Sequence, residues 1–359
     1  MKISVIMATA RDDYPMVGLP DTFIFEPTLE SLKQQTFSDF EFIIVDALYD
    51  FRKNYFKDKN FPFPVKHIKP KPSVWDKVGA WRVCNQLNTA IIHAEGELII
   101  RIDDCCSFGP EFLEKFWTWY KRGFFAQALV IYHHGTEPMK NIMETKKLYY
   151  ETYKFQETYE ELAKKLDTLY KPGEIIRDSR WRFIEGKGVA LGDMRGWYYG
   201  YGSASLDALL KVNGYDENFD GCKSLEEMDL GSRLYMAGYQ DLIMDESLTV
   251  IEHFHEAVSR KAVWYEGKPP KCNYALYLIN VNNNRFRANA DKLTDEQLKF
   301  VWEESCREPC SHCGGNDYDY EMFKFWASNQ RTFNLTQENQ GFLHKKKKGN
   351  VSLEANYNT

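Results

Sequence analysis

The stretch ELIIRIDDCCSFGPEFL, residues 97–113, decides how this chain is read. An apolar run ends in two aspartates, Asp103 and Asp104, and Cys105 and Cys106 follow at once. Such a run reads as a buried strand that delivers carboxylates to one edge of a sheet. Pro110 then opens PEFLEKFWTWYKR, a helical pattern with proline in its first turn, where the N–H it lacks would have no partner anyway.

The same alternation continues on both sides. ISVIMAT (3–9) reads as a buried strand, and Pro27 opens the helical TLESLKQQT. EFIIVDA (41–47) is a second apolar run, ending at Asp46, and PVKHIK (64–69) a short third. Val78, Trp81, Val83, Leu87, Ala90, Ile91 and Ala94 recur at roughly helical spacing until Gly96 stops the pattern. AQALVIY (126–132) is a further strand. Strand and helix alternating in this way predict an α/β fold with a doubly wound, mostly parallel central sheet. Such sheets bind ligands at the carboxyl ends of their strands, where Asp46, Asp103 and Asp104 are expected. Helix caps or turn residues are the competing reading of each. The chain has neither GxGxxG nor GxxxxGK[ST], so a diphosphate held here would need carboxylates and a hard divalent cation such as Mg2+ or Mn2+.

Bulk properties bound the function. The chain has 359 residues, 43% of them hydrophobic and 15% aromatic, enough for one large domain or two ordinary ones. A net charge of -6 argues against a general nucleic-acid binder. No run approaches the ~18 apolar residues of a membrane helix, and the charged N-terminus reads as too short for a signal peptide. Eight cysteines without a scaffold-like layout point to a reducing, cytoplasmic setting.

Downstream, NGYDENFDGCKSLEEMDLGSRLYMAGY (213–239) begins turn-rich and ends as a helix, with Gly238 as its stop. Ser224 and Glu227 have the spacing of a capping box. RGWYYGYGSASLDALL gathers Trp197, Tyr198, Tyr199 and Tyr201, either a sugar-stacking surface or core packing. His253 and His255 lie two apart, on one face of an extended segment. Residues 140–170 read as a charged amphipathic helix inserted in the domain, a lid or an interface. Cys306, Cys310, His312 and Cys313 suggest a structural Zn2+, with His312 or Cys272 as fourth ligand, against free thiols as the alternative. A basic, polar tail over 341–359 is expected to be disordered.

ISVIMAT, FEFIIVDA, LNTAIIHAEGELIIRIDD, GPEFLEKF and the 213–239 stretch, in that order, resemble family 2 glycosyltransferases of the glycosyltransferase-A fold over residues 1–255. The resemblance implies a Rossmann-like catalytic domain over 1–255, with a nucleotide-sugar half (1–130) and an acceptor half (131–255). A C-terminal extension over 256–340 lies outside it. It implies a metal-dependent inverting transferase that moves a sugar from a nucleotide-sugar, a UDP-sugar, to an acceptor hydroxyl on a glycan, lipid-linked or protein partner. Asp46 then contacts the nucleotide base, and Thr9, Asn88 and Asp103 join the donor site. Asp103 and Asp104 hold Mn2+ or Mg2+, completed by His253 or His255. Cys105 stands where the family's second D-x-D aspartate belongs, and a thiol is a poor ligand for these ions. Glu227, second of the acidic pair Glu226–Glu227, is the implied base, and Asp229 is read as structural. Two rival readings are an inactive zinc-containing scaffold on this fold and a nucleotidyltransferase.

Overall fold

The computed structural model describes residues 1–9, 26–57, 59–77, 82–104, 106–134, 174–177, 180–184, 186–222, 224–252, 270–307 and 318–348. Four parallel strands form the first sheet: β1 (Ile3–Thr9), β2 (Phe40–Asp46), β3 (Val65–Ile68) and β4 (Leu98–Ile102), in the order β3-β2-β1-β4. β1, β2 and β4 are almost wholly buried along their length, as parallel strands covered on both faces are. The helix α1 (Glu26–Lys33) leads from β1 to β2, α2 (Tyr49–Lys57) from β2 to β3, and α3 (Val83–His93) carries the chain back past β1 to β4. The strand order therefore reverses between β1 and β4. α2 was not expected from the sequence; its helical face buries only Arg52 and Phe56, too little for an apolar pattern to show.

The register pairs Thr9 with Asp46 and Met7 with Ile102. Thr9, Asp46, Asp103 and Asp104 thus gather at one carboxyl edge, at the switch point where a doubly wound sheet binds ligands.

Beside the expected mostly parallel central sheet stands a second sheet. The strand at 126–132 lies within β6 (Phe125–His134), which runs parallel to β10 (Asp241–Glu252) in a second sheet ordered β5-β10-β6-β7, with β5 at Cys106–Phe108 and β7 at Glu174–Arg177. The β10–β6 pairing shifts register between Met244 and Thr249, and near the same point the other edge of β10 changes partner. Its first half pairs with β8 (Val189–Asp193) and its second with β5, both antiparallel. The antiparallel β9 (Ser203–Ser205) closes the first sheet against β4, and a lone bridge from Gln127 to Gly202 links the sheets.

The C-terminal region adds helices at Asn273–Asn282, Asp295–Arg307, Tyr320–Ser328 and Leu335–Lys347. The last packs on α3, and the Asn339 amide donates to the carbonyls of Ile91, Ile92 and Ala94 at the end of α3. Residues 341–347, expected in a disordered tail, are the final turns of that helix. Their lysines complement its negative end, and Lys346 bonds Glu95. Phe342 packs on the His93 ring, with centroids 4.5 Å apart. The expected insertion at 140–170 lies outside the described residues. Among the described residues no helix is long and apolar enough to cross a membrane.

Candidate active site

At the carboxyl edge, Thr9 donates its hydroxyl to Asp104 Oδ2 at 2.8 Å. The Gln86 amide, from α3, donates to Thr9 O at 2.7 Å and Val45 O at 3.1 Å, tying the ends of β1 and β2 together. Asp46 stands at the strand end as expected but is fully enclosed. Its Oδ1 accepts from Leu48 N and Arg52, and its Oδ2 meets His67 Nε2 at 3.0 Å. In this arrangement it orders the turn into α2 and presents no oxygen to solvent. Asn88 is also placed otherwise than expected. Its amide donates to Tyr215 O and Glu217 Oε1, and its Oδ1 accepts from Tyr215 N. Asn88 thus clamps the 215–217 turn.

Arg101 is the residue that sequence reasoning missed. It lies inside β4, buried, two positions before Asp103, so both side chains leave the strand on one face. One guanidinium nitrogen donates to Glu227 Oε1 at 2.6 Å and another to Asp103 Oδ1 at 3.1 Å. Burial works against its charge, but Glu227 and then Asp103 more than offset this and hold it well above the ordinary arginine range. An arginine in an otherwise apolar run was the available signal. A buried cation needs carboxylate partners, and the strand geometry offers Asp103 as one.

Glu226 and Glu227 begin the helix Glu226–Met236, and both are buried. Burial and then the Glu227 charge push the Glu226 carboxyl well above its ordinary range, so Glu226 is disposed to hold a proton. The expected capping box is not formed. The N-cap is Leu225, with no side-chain cap bond, and Ser224 and Leu225 are consecutive residues at φ 88° and 76°. Each left-handed non-glycine residue costs on the order of 1–3 kcal/mol and persists only where its surroundings enforce it. Here the Asn273 amide enforces it, donating to the carbonyls of Phe219, Cys222 and Ser224. Asp229, read from the sequence as structural, is fully buried. It accepts from Arg233 Nε at 2.6 Å and Asn280 Nδ2 at 2.8 Å.

The aromatic run divides. Tyr198 and Tyr201 are core residues, whereas Tyr199 is 42% exposed. Its N–H donates to Gln127 Oε1 at 2.8 Å, and the Arg180 guanidinium lies 5.0 Å from its ring centre. Burial, then Glu227 and Asp103, push the Tyr199 hydroxyl above its ordinary range, so the ring is within electrostatic reach of both carboxylates. Gly200 passes so close to Asp103 that a Cβ would come within 3.0 Å of its Oδ2.

For a divalent cation the described residues fit only in part. The Asp103 side chain is 36% exposed but already faces Arg101, and Asp104 is buried against Thr9. Among the described residues no group of three His, Cys, Asp or Glu side chains is placed to hold a metal. Cys105, His253 and His255 lie outside the described residues, as do Cys310, His312 and Cys313. Cys272 is buried and Cys306 exposed.

A search of curated proteins returned no match to this sequence. Among solved structures, S. aureus TarS is similar at 15% identity and a TM-score of 0.44, over 84% of this chain and 42% of that one. S. aureus TarS 1-349 in complex with UDP-GlcNAc is similar at 14% identity and a TM-score of 0.46, over 86% of this chain and 72% of that one. Nothing about function follows from likenesses at this level. The base helix lies beyond the span of the family match, so its roles rest on the motif alone. Residues 24–177, from the start of the first crossover through the strand-end aspartates, match the model of glycosyl transferase family 2, and the resemblance read from the sequence is to that family.

Proposed function

We propose that this chain is a nucleotide-sugar glycosyltransferase that moves a sugar from a UDP-sugar to an acceptor hydroxyl with inversion at the anomeric carbon. The observation that carries this reading is the Arg101 bridge. One buried guanidinium joins Asp103, at the sheet edge where a donor diphosphate belongs, to Glu227, at the helix start where the base belongs. In the proposed step the acceptor oxygen attacks the anomeric carbon and its proton passes to the Glu227 carboxylate. The anomeric C–O bond breaks and its electron pair leaves on the nucleoside diphosphate. Arg101 fixes the direction of the Glu227 carboxylate, and the half-exposed Tyr199 offers a ring face on which a sugar stacks.

A Mn2+ or Mg2+ ion at Asp103 and Asp104 belongs to this proposal, as do a cytoplasmic location and a structural Zn2+ at Cys306, Cys310 and Cys313. When bound, the donor-site ion would offset the charge of the departing diphosphate. Elemental analysis for zinc in protein made with zinc available decides between the zinc site and free thiols.

The transferase reading is tested with a panel of nucleotide-sugars, by following release of nucleoside diphosphate with Mn2+, with Mg2+ and with EDTA. Slow hydrolysis of one UDP-sugar is expected, abolished by EDTA. Hydrolysis that survives EDTA removes the metal from the reading and keeps the transferase. No hydrolysis and no binding across the panel favours the inactive scaffold, for which Cys105 in place of an aspartate is the supporting feature. Consumption of a nucleoside triphosphate favours a nucleotidyltransferase.

A further inference from the structure

We propose that Asn273, from the C-terminal extension, is a positioning residue for the Glu226–Glu227 pair; this rests on the reading of Glu227 as the base. The side chain is fully buried. Its amide N–H groups serve three carbonyls of one loop, Phe219 O at 3.2 Å, Cys222 O at 3.2 Å and Ser224 O at 2.9 Å. The last of these belongs to the first of the two left-handed residues that deliver Glu226 into the helix.

Asn273 is itself held from two sides. Its Oδ1 accepts from Lys271 Nζ at 2.9 Å, and that fully buried ammonium also donates to Asp220 O at 3.1 Å, in the same loop. The preceding N–H, of Cys272, donates to Ser305 Oγ at 2.8 Å, and the Ser305 hydroxyl donates to Val301 O at 2.7 Å. The clamp is therefore anchored in the helix Asp295–Arg307 of the extension. No bond joins Asn273 to either glutamate. It acts through the backbone, enforcing a turn that Ser224 and Leu225 would otherwise leave. The extension, outside the resemblance to the glycosyltransferase domain, thus completes the base side of the site.

The test compares Asn273→Ala, Ser224→Gly, Glu227→Gln and their combinations in the full chain. It measures hydrolysis of the UDP-sugar that the wild type turns over, nucleotide affinity, and amide exchange over residues 224–230. Asn273→Ala should lower kcat about 10²-fold, the scale expected when a reacting group is misplaced by about 1 Å. KM and nucleotide affinity should change little. Glycine adopts positive φ without penalty, so Ser224→Gly should leave the wild type nearly unchanged and restore part of kcat and of exchange protection to Asn273→Ala. In Glu227→Gln, Asn273→Ala should add no further loss, because the residue it positions is already disabled. Full turnover per folded molecule in Asn273→Ala overturns the proposal. So does a loss that Ser224→Gly leaves unrescued, or one that adds to the loss from Glu227→Gln. If Asn273→Ala does not fold, Asn273→Ser, which keeps a single donor, is read by the same criteria. Undiminished turnover in Glu227→Gln refutes the base reading instead, and amide exchange still reports whether Asn273 holds the turn.

Discussion

The two sides of the proposed site carry their carboxylates on opposite kinds of support. On the proposed donor side, Asp103 and Asp104 extend β4, a strand surrounded by apolar neighbours and paired on both edges. On the proposed base side, Glu226 and Glu227 follow a strained turn held by the Asn273 side chain, some fifty residues later. The first support comes from many interchangeable contacts, each small. The second comes from a few directional bonds, each made by one residue. Positions on the donor side should tolerate conservative change and lose stability when truncated. Positions on the base side should lose activity before they lose the fold.

The largest expected effect tests that division at the base itself. Glu227→Gln keeps the size of the side chain and an oxygen for Arg101 but cannot take up the acceptor proton. Turnover per folded molecule should fall by about 10² to 10⁴, with nucleotide affinity nearly unchanged, and stability should fall as well, because buried Arg101 loses a charged partner. If the variant instead turns over normally per folded molecule, Glu227 is structural. The base is then to be sought at Glu226, since Asp229 is locked between Arg233 and Asn280.

The next pair compares the supports directly. Ile100, fully buried at the centre of β4, should cost about 2–5 kcal/mol on truncation to alanine, through lost transfer energy and the cavity left behind. Asn280 donates to Asp216 Oδ2 and Asp229 Oδ1 at 3.0 and 2.8 Å. Asn280→Ala leaves both carboxylates short of a donor and should cost about 1–3 kcal/mol. Urea unfolding of both variants at one pH measures the difference. A larger loss for Asn280→Ala than for Ile100→Ala would reverse the comparison.

The same contrast explains what the sequence disclosed. β1, β2 and β4 were legible because burial on both faces demands unbroken apolar runs, and the carboxylates at their ends followed from strand direction alone. Gly238, at φ 101°, was legible as a helix stop because few other residues take that conformation. Asn273 and Asn280 were not legible. A buried asparagine leaves no periodic trace, and its partners lie about fifty residues away in sequence. Ser224 was misread because capping spacing describes a side chain meeting a backbone N–H, whereas here the backbone itself turns left-handed and another segment holds it. Arg101 lay between these cases. Its position in an apolar run was visible, but its bond to Glu227, 126 residues on, required the fold.

Taken per pH unit, the smallest expected effect concerns the acidic pair, and it has a definite sign. Burial and the Glu227 charge raise Glu226 above its ordinary range in the folded chain, while in the unfolded chain it titrates near 4.5, the ordinary value for a glutamate. Between those two points the folded state holds a proton that the unfolded state has released. Stability therefore falls as pH rises above about 4.5 and stops falling once folded Glu226 ionises too, with a slope of at most about 1.4 kcal/mol per pH unit for one proton. Glu226→Gln cannot ionise in either state, so this contribution disappears. Against wild type, the variant should gain relative stability as pH rises from 5 until folded Glu226 ionises, as read by urea midpoints at each pH. A constant difference across that range would mean that Glu226 has the same proton affinity folded and unfolded. The base side of the proposed site would then hold two charges beside Arg101 instead of one, and the bond from Arg101 to Glu227 would no longer single out one member of the pair.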